Sequence, residues 1–362
     1  MRGRKQSQIS VACLLDVETM IPKDHPIRAI KSILGVVLHE MDAHLEEMYA
    51  EVGRPSIPPE RLLLSKVLMA LYTIRSERQF CERLQYDLLF RWFLDLNPDE
   101  AVFDHSTFSQ NQARLLKHKT ADLFFAEVVW FAKAKRWLSD QHFSVDATLI
   151  ESWASLKSFK RKDSEQGPGD GNGWSDFKGE SRSNDTHEST TDPEAKLVRK
   201  GPGREAKLCF AGHATIENRN GLCVLFEVKP AVGAPEGAVA VEQVKELQDR
   251  GFEPRSLGAD RGYHSRGFIE GVRARGVVPH PAACGGRKTL GVRILSKAYA
   301  ASQRSRRRIE EIFGWGKTTG CFRKSRHLGV ERTHAAGQYV VAACNLVRMA
   351  KLSLGPPEMA RA

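Results

Sequence analysis

Four carboxylates stand where chemistry on a phosphodiester could use them: Asp146, Asp260, and the adjacent pair Glu310 and Glu311. Metal-assisted phosphodiester chemistry needs two or three such groups, brought from separate elements onto a pair of Mg²⁺ ions that activate the attacking oxygen and stabilise the leaving one. Asp146 sits in "QHFSVDATLI", whose alternation puts Phe143, Val145, Ala147 and Leu149 on one face of a strand and Ser144, Asp146 and Thr148 on the other. A charge at mid-strand has no packing reason to be there. Asp260 ends the short strand "PRSLGAD", before a turn in which Gly262 allows a tight reversal. Taken alone, an aspartate at such a position is more often a cap than a ligand.

The two glutamates lie in "RRRIEEIFGWGK", in the most basic part of the chain. At roughly 100° per residue, a helix over "SQRSRRRIEEIFGWGK" puts Ile309, Phe313 and Gly316 on its buried side. Gln303, Arg306, Glu310 and Lys317 then share one face, while Glu311 points to solvent. On this phase Glu310 is the candidate ligand, with Arg306 and Lys317 turned to the same phosphates, and Glu311 is a surface ion-pair residue. His213, in "GHATIE", lies on a nearby strand, where a structural role is the commoner one for a lone histidine.

The charge has a place as well as a size. The chain of 362 residues carries a net +11, yet from Arg255 onward 21 Lys and Arg face 6 Asp and Glu, while the first 254 residues are net −4. Such a divided charge points to a polyanion partner, because neutralising phosphates releases counterions. Arg307, Arg323 and Lys324 join Arg306 and Lys317 as DNA-contact candidates. Seven scattered cysteines without a C-x-x-C pair fit neither a disulfide framework nor a zinc site. With no run near eighteen apolar residues and no signal-like start, a soluble intracellular protein without a membrane partner is expected.

The elements that must position these residues fall into two kinds. From Pro59 to about Arg136 the period is helical, with Leu62, Leu63, Val67, Leu71 and Ile74 on one side. In "FDHSTFSQNQARLLKH", Asp104 or Ser106 starts a helix that offers Ser109, Gln110, Gln112 and Arg114, side chains suited to a groove-reading helix or to an ordinary amphipathic one. Residues 1–136 are therefore expected to form an all-α, helix-turn-helix-like DNA-binding domain. Residues 137–350 read as a mixed α/β (α+β) domain and 351–362 as a tail. The order three strands, helix, strand, helix, strand, helix is that of the ribonuclease H-like fold, with a mixed sheet. A polar stretch at about 157–206 reads as a loop insertion, with Trp174 and Phe177 as its aromatic pair.

Together, "FSVDATLIESWASLKSFKRKD", "LGADRGYHS" and "SQRSRRRIEEIFGWGKTTGCFRKSR" resemble the DDE transposases of bacterial insertion sequences, most closely the IS-five group. The resemblance extends to "IPPERLLLSKVLMALYTIRSERQFCERLQYDLLFRWFLDL" and "FDHSTFSQNQARL", which are similar to that group's N-terminal DNA-binding region. In the family's tyrosine, arginine, glutamate, lysine signature, Arg306, Glu310 and Lys317 match at the family spacing; Gln303 stands in the tyrosine position, and Tyr299 is out of register. The resemblance implies two Mg²⁺ or Mn²⁺ ions bound by Asp146, Asp260 and Glu310. It also implies cleavage at terminal inverted repeats, transfer of the 3′-hydroxyl to target double-stranded DNA, and a homodimer or larger assembly in the bacterial cytoplasm, associated with the nucleoid. Two other readings use the same residues or surface: a nuclease of this fold without strand transfer, and a transposase-derived DNA-binding regulator.

Overall fold

The computed structural model describes residues 16–49, 56–162, 182–199, 201, 203–233, 235–283 and 290–354. Trp174 and Phe177 lie outside them. Eight helices come first: α1 (Val17–Met20), α2 (Pro26–Glu40), α3 (Asp42–Glu47), α4 (Pro59–Leu71), α5 (Glu77–Tyr86), α6 (Leu88–Phe93), α7 (His105–Lys117) and α8 (Thr120–Ala134). Their starts are written locally. Pro59 opens α4, Ser76 caps α5 through the Gln79 N–H, and Asp104 caps α7 through the Ser106 N–H at 2.8 Å.

The strands are β1 (Phe143–Glu151), β2 (Phe159–Arg161), β3 (His187–Ser189), β4 (Lys196–Arg199), β5 (Ala206–Glu217), β6 (Cys223–Pro230), β7 (Ser256–Ala259) and β8 (Val278–Pro281). Helices α9 (Glu236–Asp249), α10 (Arg266–Ala274), α11 (Lys297–Ser305), α12 (Arg308–Lys317) and α13 (Val330–Ser353) complete the chain. The main sheet runs β5-β1-β7-β8, with β6 and β4 both pairing with β5 beyond β1. β5 is antiparallel to β1 and to β6, whereas β1, β7 and β8 are parallel. Three antiparallel strands followed by two parallel ones on the far side of the first strand is the ribonuclease H-like arrangement, as the element order led one to expect.

Within the stretch 157–206, read from sequence as a loop, the described residues are more ordered than that. β2 pairs with β3 in a small ribbon, and β4 extends the main sheet against β5. These strands are three or four residues long, too short for a period-2 signal to show among Gly, Ser and Lys.

β1 also differs from its amphipathic reading, because the sheet is covered on both sides. Ser144 is fully buried on the Asp146 face, bonded to Asn218, and Ile150 is buried there against Gly212 and Phe226. A Cβ at position 212 would stand 2.9 Å from Ile150 Cδ1 and 3.1 Å from Phe226, so only glycine lets the two side chains close over β5.

The last helix joins the two halves. α13 packs on α2, α4 and α8 and also on β6, so the apolar core is continuous from the N-terminal helices into the sheet. An edge strand presents unpaired backbone groups, and α13 answers those of β6 with side chains. His334 Nδ1 accepts from the Val228 N–H, Gln338 donates to the Phe226 carbonyl, and Asn345 both accepts from and donates to Cys223. Among the described residues no helix is long and apolar enough to cross a membrane, and the five described cysteines are free thiols.

Burial holds the imidazoles of His142, His213 and His327 down from 6.5 to about 4, so the native state keeps them neutral. Between those values the unfolded chain binds more protons, and stability rises with pH. These histidines therefore withdraw stability as pH falls from about 6.5 towards 4. The thermal midpoint should drop across that window, followed by circular dichroism, and His213→Asn should make the drop shallower.

Candidate functional site

Parallel pairing of β1 with β7 aligns Phe143 with Leu257 and Ser144 with Gly258, so the register carries Asp146 to the level of Asp260 just past the end of β7. Both lie on the face that α11 covers, where a Cβ at Gly258 would stand 3.1 Å from Ser144 Oγ and 2.9 Å from Ser302 Oγ. Each aspartate has one oxygen tied to the backbone. Asp146 Oδ1 accepts from the Ala147 N–H and Asp260 Oδ1 from the Gly262 N–H, at 2.8 and 2.7 Å. Asp260 is thus a cap, as an isolated strand-end aspartate would be, and also faces a second carboxylate.

That neighbour marks the electrostatics. Burial pushes the Asp146 carboxyl up to about 6; the like charges of Asp260 and Glu236 push the same way, against the Ala147 N–H and Arg306. The Glu236 carboxyl is raised too, by burial and then by Asp260. Glu236, at the start of α9, was not singled out from sequence. The packing of α9 on β1 and on the turn after Asp260 brings it here, with its Oε2 3.8 Å from where a Gly262 Cβ would stand and Asp260 Oδ1 3.1 Å from the same point. A side chain at 262 would crowd Asp260 and come into contact with Glu236.

The expected single helix over 302–317 is two. The chain tightens at Arg306 and Arg307, where the Ile309 and Glu310 N–H groups reach back three residues rather than four, and α12 starts again at Arg308. Ile309 and Ile312 form its buried side, with Phe313 and Gly316 half-buried beside them. Arg306 keeps its face: Nη1 lies 4.0 Å from Asp146 Oδ2, and its Nε is buried without a hydrogen-bond partner. Lys317 Nζ bonds Thr148 Oγ1, two residues along β1 on the same face as Asp146. Glu310 is exposed in the first turn of α12, between these two contacts. Gln303, in the position where a tyrosine was looked for, donates to the His280 carbonyl at 2.7 Å. Tyr299 instead hydrogen-bonds the 281–283 backbone.

Other sequence candidates lie elsewhere. His213 is opposite Ala147 on β5, hence on the face away from Asp146, buried near Gln243; its role is structural. Ser109 on α7 bonds within the protein, to Glu77 Oε2 and its own helix, and Arg114 stacks over the Tyr49 ring at 4.4 Å. Ser109 and Gln112 line a cleft of about 540 Å³ against His327, Arg332 and His334 at the start of α13. Arg307, Arg323 and Lys324 are exposed.

Two segments of the chain match known families. Residues 15–114 match a model described as a transposase domain (DUF772), and residues 275–350 match one described as a transposase DDE domain. Both models describe transposase domains, in agreement with the resemblance that the motifs carry. The second match contains Arg306, Glu310 and Lys317. No curated protein matches. Among solved structures, the chain is similar to a piggyBac transposase in a synaptic complex with hairpin DNA, at 9% identity over 91% of this chain and 76% of that one, with a TM-score of 0.43. It is also similar to Mos1 transposase in a paired-end complex with the left transposon end, at 11% identity over 76% and 82%, with a TM-score of 0.21. Overlaps this loose add nothing to the assignment.

Glu311 has the partner its phase called for, but from a distant helix: Arg348 Nη2 on α13 lies 2.9 Å from its Oε2, with the glutamate side chain 63% exposed. An exposed pair contributes about 0 to 1 kcal/mol. A double-mutant cycle of Glu311→Gln and Arg348→Ala, read by denaturant unfolding, should give a coupling no larger than that.

Proposed function

We propose that this DDE transposase binds the terminal inverted repeats of its element and cuts and joins DNA with Asp146, Asp260 and Glu310 as the metal-holding acids. The observation that carries the reading is the packing of α11 on β7 and β8 and of α12 on β1, which sets the joint between them over the Asp146 face. Arg306 meets Asp146 and Lys317 meets Thr148 on the same face of β1, and Glu310 stands between these two cations in the sequence. Among the described residues no three acids, histidines or cysteines stand close enough to hold a metal ion as they are. The donor set nevertheless suits a hard divalent cation. Asp146 and Asp260 are neighbouring carboxylates, each with one oxygen not engaged by the backbone N–H, in a cradle that glycine at 262 keeps open. Glu310 completes it from an exposed position, by movement of its side chain.

Mg²⁺ or Mn²⁺ held there, two ions on this reading, would activate the attacking oxygen and offset charge on the phosphorane, as P–O bonds form and break without a covalent protein intermediate. The protein's own groups do the rest. Arg306, with its unpartnered Nε, offers a planar fork to a phosphate; Lys317 offers a point charge; Arg307, Arg323 and Lys324 extend the same basic surface. Water is the first nucleophile, at an element end, and the released 3′-hydroxyl is the second, on target DNA. The helical segment around α7, with Ser109 and Arg114, reads the repeat. Both already have partners within the protein, so they contact DNA only by exchanging those bonds. Two ends must be held together, which calls for a homodimer or larger assembly. The motifs shared with the IS-five group support a bacterial insertion-sequence element acting in the cytoplasm on the nucleoid.

Incubated with DNA from the flanks of its reading frame and Mg²⁺, the protein should release a strand with a free 3′-hydroxyl and join a pre-cut end to a plasmid. Asp146→Asn, Asp260→Asn and Glu310→Gln should each remove cleavage to background while retaining DNA binding in a gel-shift assay. Full cleavage by any of the three would sink its assignment. Cleavage without joining would make the protein a nuclease.

A further inference from the structure

The end of β1 carries an indole that the core does not use. Trp153 is 51% exposed, between Ser152 and Ala154, which are 2% and 7% exposed. Its backbone is fixed on both sides. The Ser152 N–H donates to the Leu208 carbonyl at 2.8 Å, Ser152 Oγ donates to Asp192 at 3.1 Å, and the Ala154 N–H donates to Ser152 Oγ at 3.1 Å. An indole carries more apolar surface than most side chains, and here half of it stands in solvent on a rigid frame.

Two cations lie over that ring. Lys324 Nζ is 5.4 Å and the Arg326 guanidinium carbon 5.6 Å from its centroid. They are brought there by backbone pairing, in which the Glu151 N–H donates to the Arg323 carbonyl and the Ser325 N–H to the Glu151 carbonyl, at 3.0 and 2.7 Å. Arg306 at Asp146 and Lys317 at Thr148 lie along one face of β1, and beyond the backbone bridge of Lys324 to Glu151 the Lys324 and Arg326 side chains meet Trp153. At about 3.3 Å per residue the strand covers roughly 17 Å from Asp146 to Glu151. That is about five base steps at 3.4 Å each.

We infer that Trp153, with Lys324 and Arg326, is a stacking site for an unpaired base of the DNA strand that runs from the cleavage site along β1. A base inside a duplex has both faces covered by its neighbours, so an exposed indole can stack only on one that has left the helix. The cations beside the ring neutralise the phosphates that flank such a base. The site rests on the transposase reading for its biological strand, although its chemistry concerns base stacking alone.

Fluorescence anisotropy with a labelled twenty-nucleotide thymidine strand, and with an abasic strand of equal length, separates stacking from charge. Trp153→Ala should weaken binding of the thymidine strand by about 5- to 150-fold, Trp153→Phe should restore most of it, and the abasic strand should bind all three proteins alike. Equal weakening on both strands would overturn the inference, since the ring would then serve only to place Lys324 and Arg326. So would no weakening on either. Cleavage of the flanking DNA by the wild-type protein is measured in parallel. Active wild-type enzyme with no base-dependent loss in Trp153→Ala defeats the stacking site alone; base-dependent loss in a protein that never cleaves upholds the site and defeats the transposase reading.

Discussion

Two carboxylates held side by side on one face of a sheet repel each other, and much of this structure is arranged around that repulsion. Parallel pairing of β1 with β7 leaves Asp146 and Asp260 no way to separate, and Glu236 adds a third like charge. Burial raises the Asp146 carboxyl first, and the like charges of Asp260 and Glu236 add to it. A single guanidinium 4.0 Å away does not balance three acids. Such a site stores an affinity for added positive charge, and the basic C-terminal third keeps phosphates from being turned away by the same acids.

The scaffold meets a second constraint at the edge of the sheet. β6 would present open backbone groups, and α13 covers them with His334, Gln338 and Asn345 while its other sides pack on α2, α4 and α8. His334 also contacts Asp122 on α8 at 2.7 Å. One helix thus ties the sheet that carries the aspartates to the helices of the first transposase match. Burial of Ile309 and Ile312 sets the rotation of α12 and with it the side on which Glu310 emerges, and Arg348 on α13 meets Glu311 at its exposed side.

A strip of cations along β1 connects the acids to Trp153. Its members come from three places: the joint between α11 and α12, the end of α12, and the segment after it that bridges to Glu151. In sequence they are only part of a basic run. In the fold two of them contact the Asp146 face of β1 and two meet the ring of Trp153 just past its end.

The sequence by itself determined most element types and their order, a helix start at Asp104 or Ser106, and the face of β1 that carries Asp146. Each of these depends on periods and caps acting over a few residues. It missed the short strands inside 157–206, where three or four residues cannot establish a period, and it drew α11 and α12 as one helix because a three-residue hydrogen-bond slip leaves no mark in composition. The partners were beyond it altogether: Glu236 beside Asp260, Lys317 on Thr148, Arg348 on Glu311, and two cations over Trp153. Those pairs are 24, 169, 37 and at least 171 residues apart. Only the sheet register and the packing of α13 bring them together, because side-chain proximity at such separations is set by the closed fold and by nothing local in the chain.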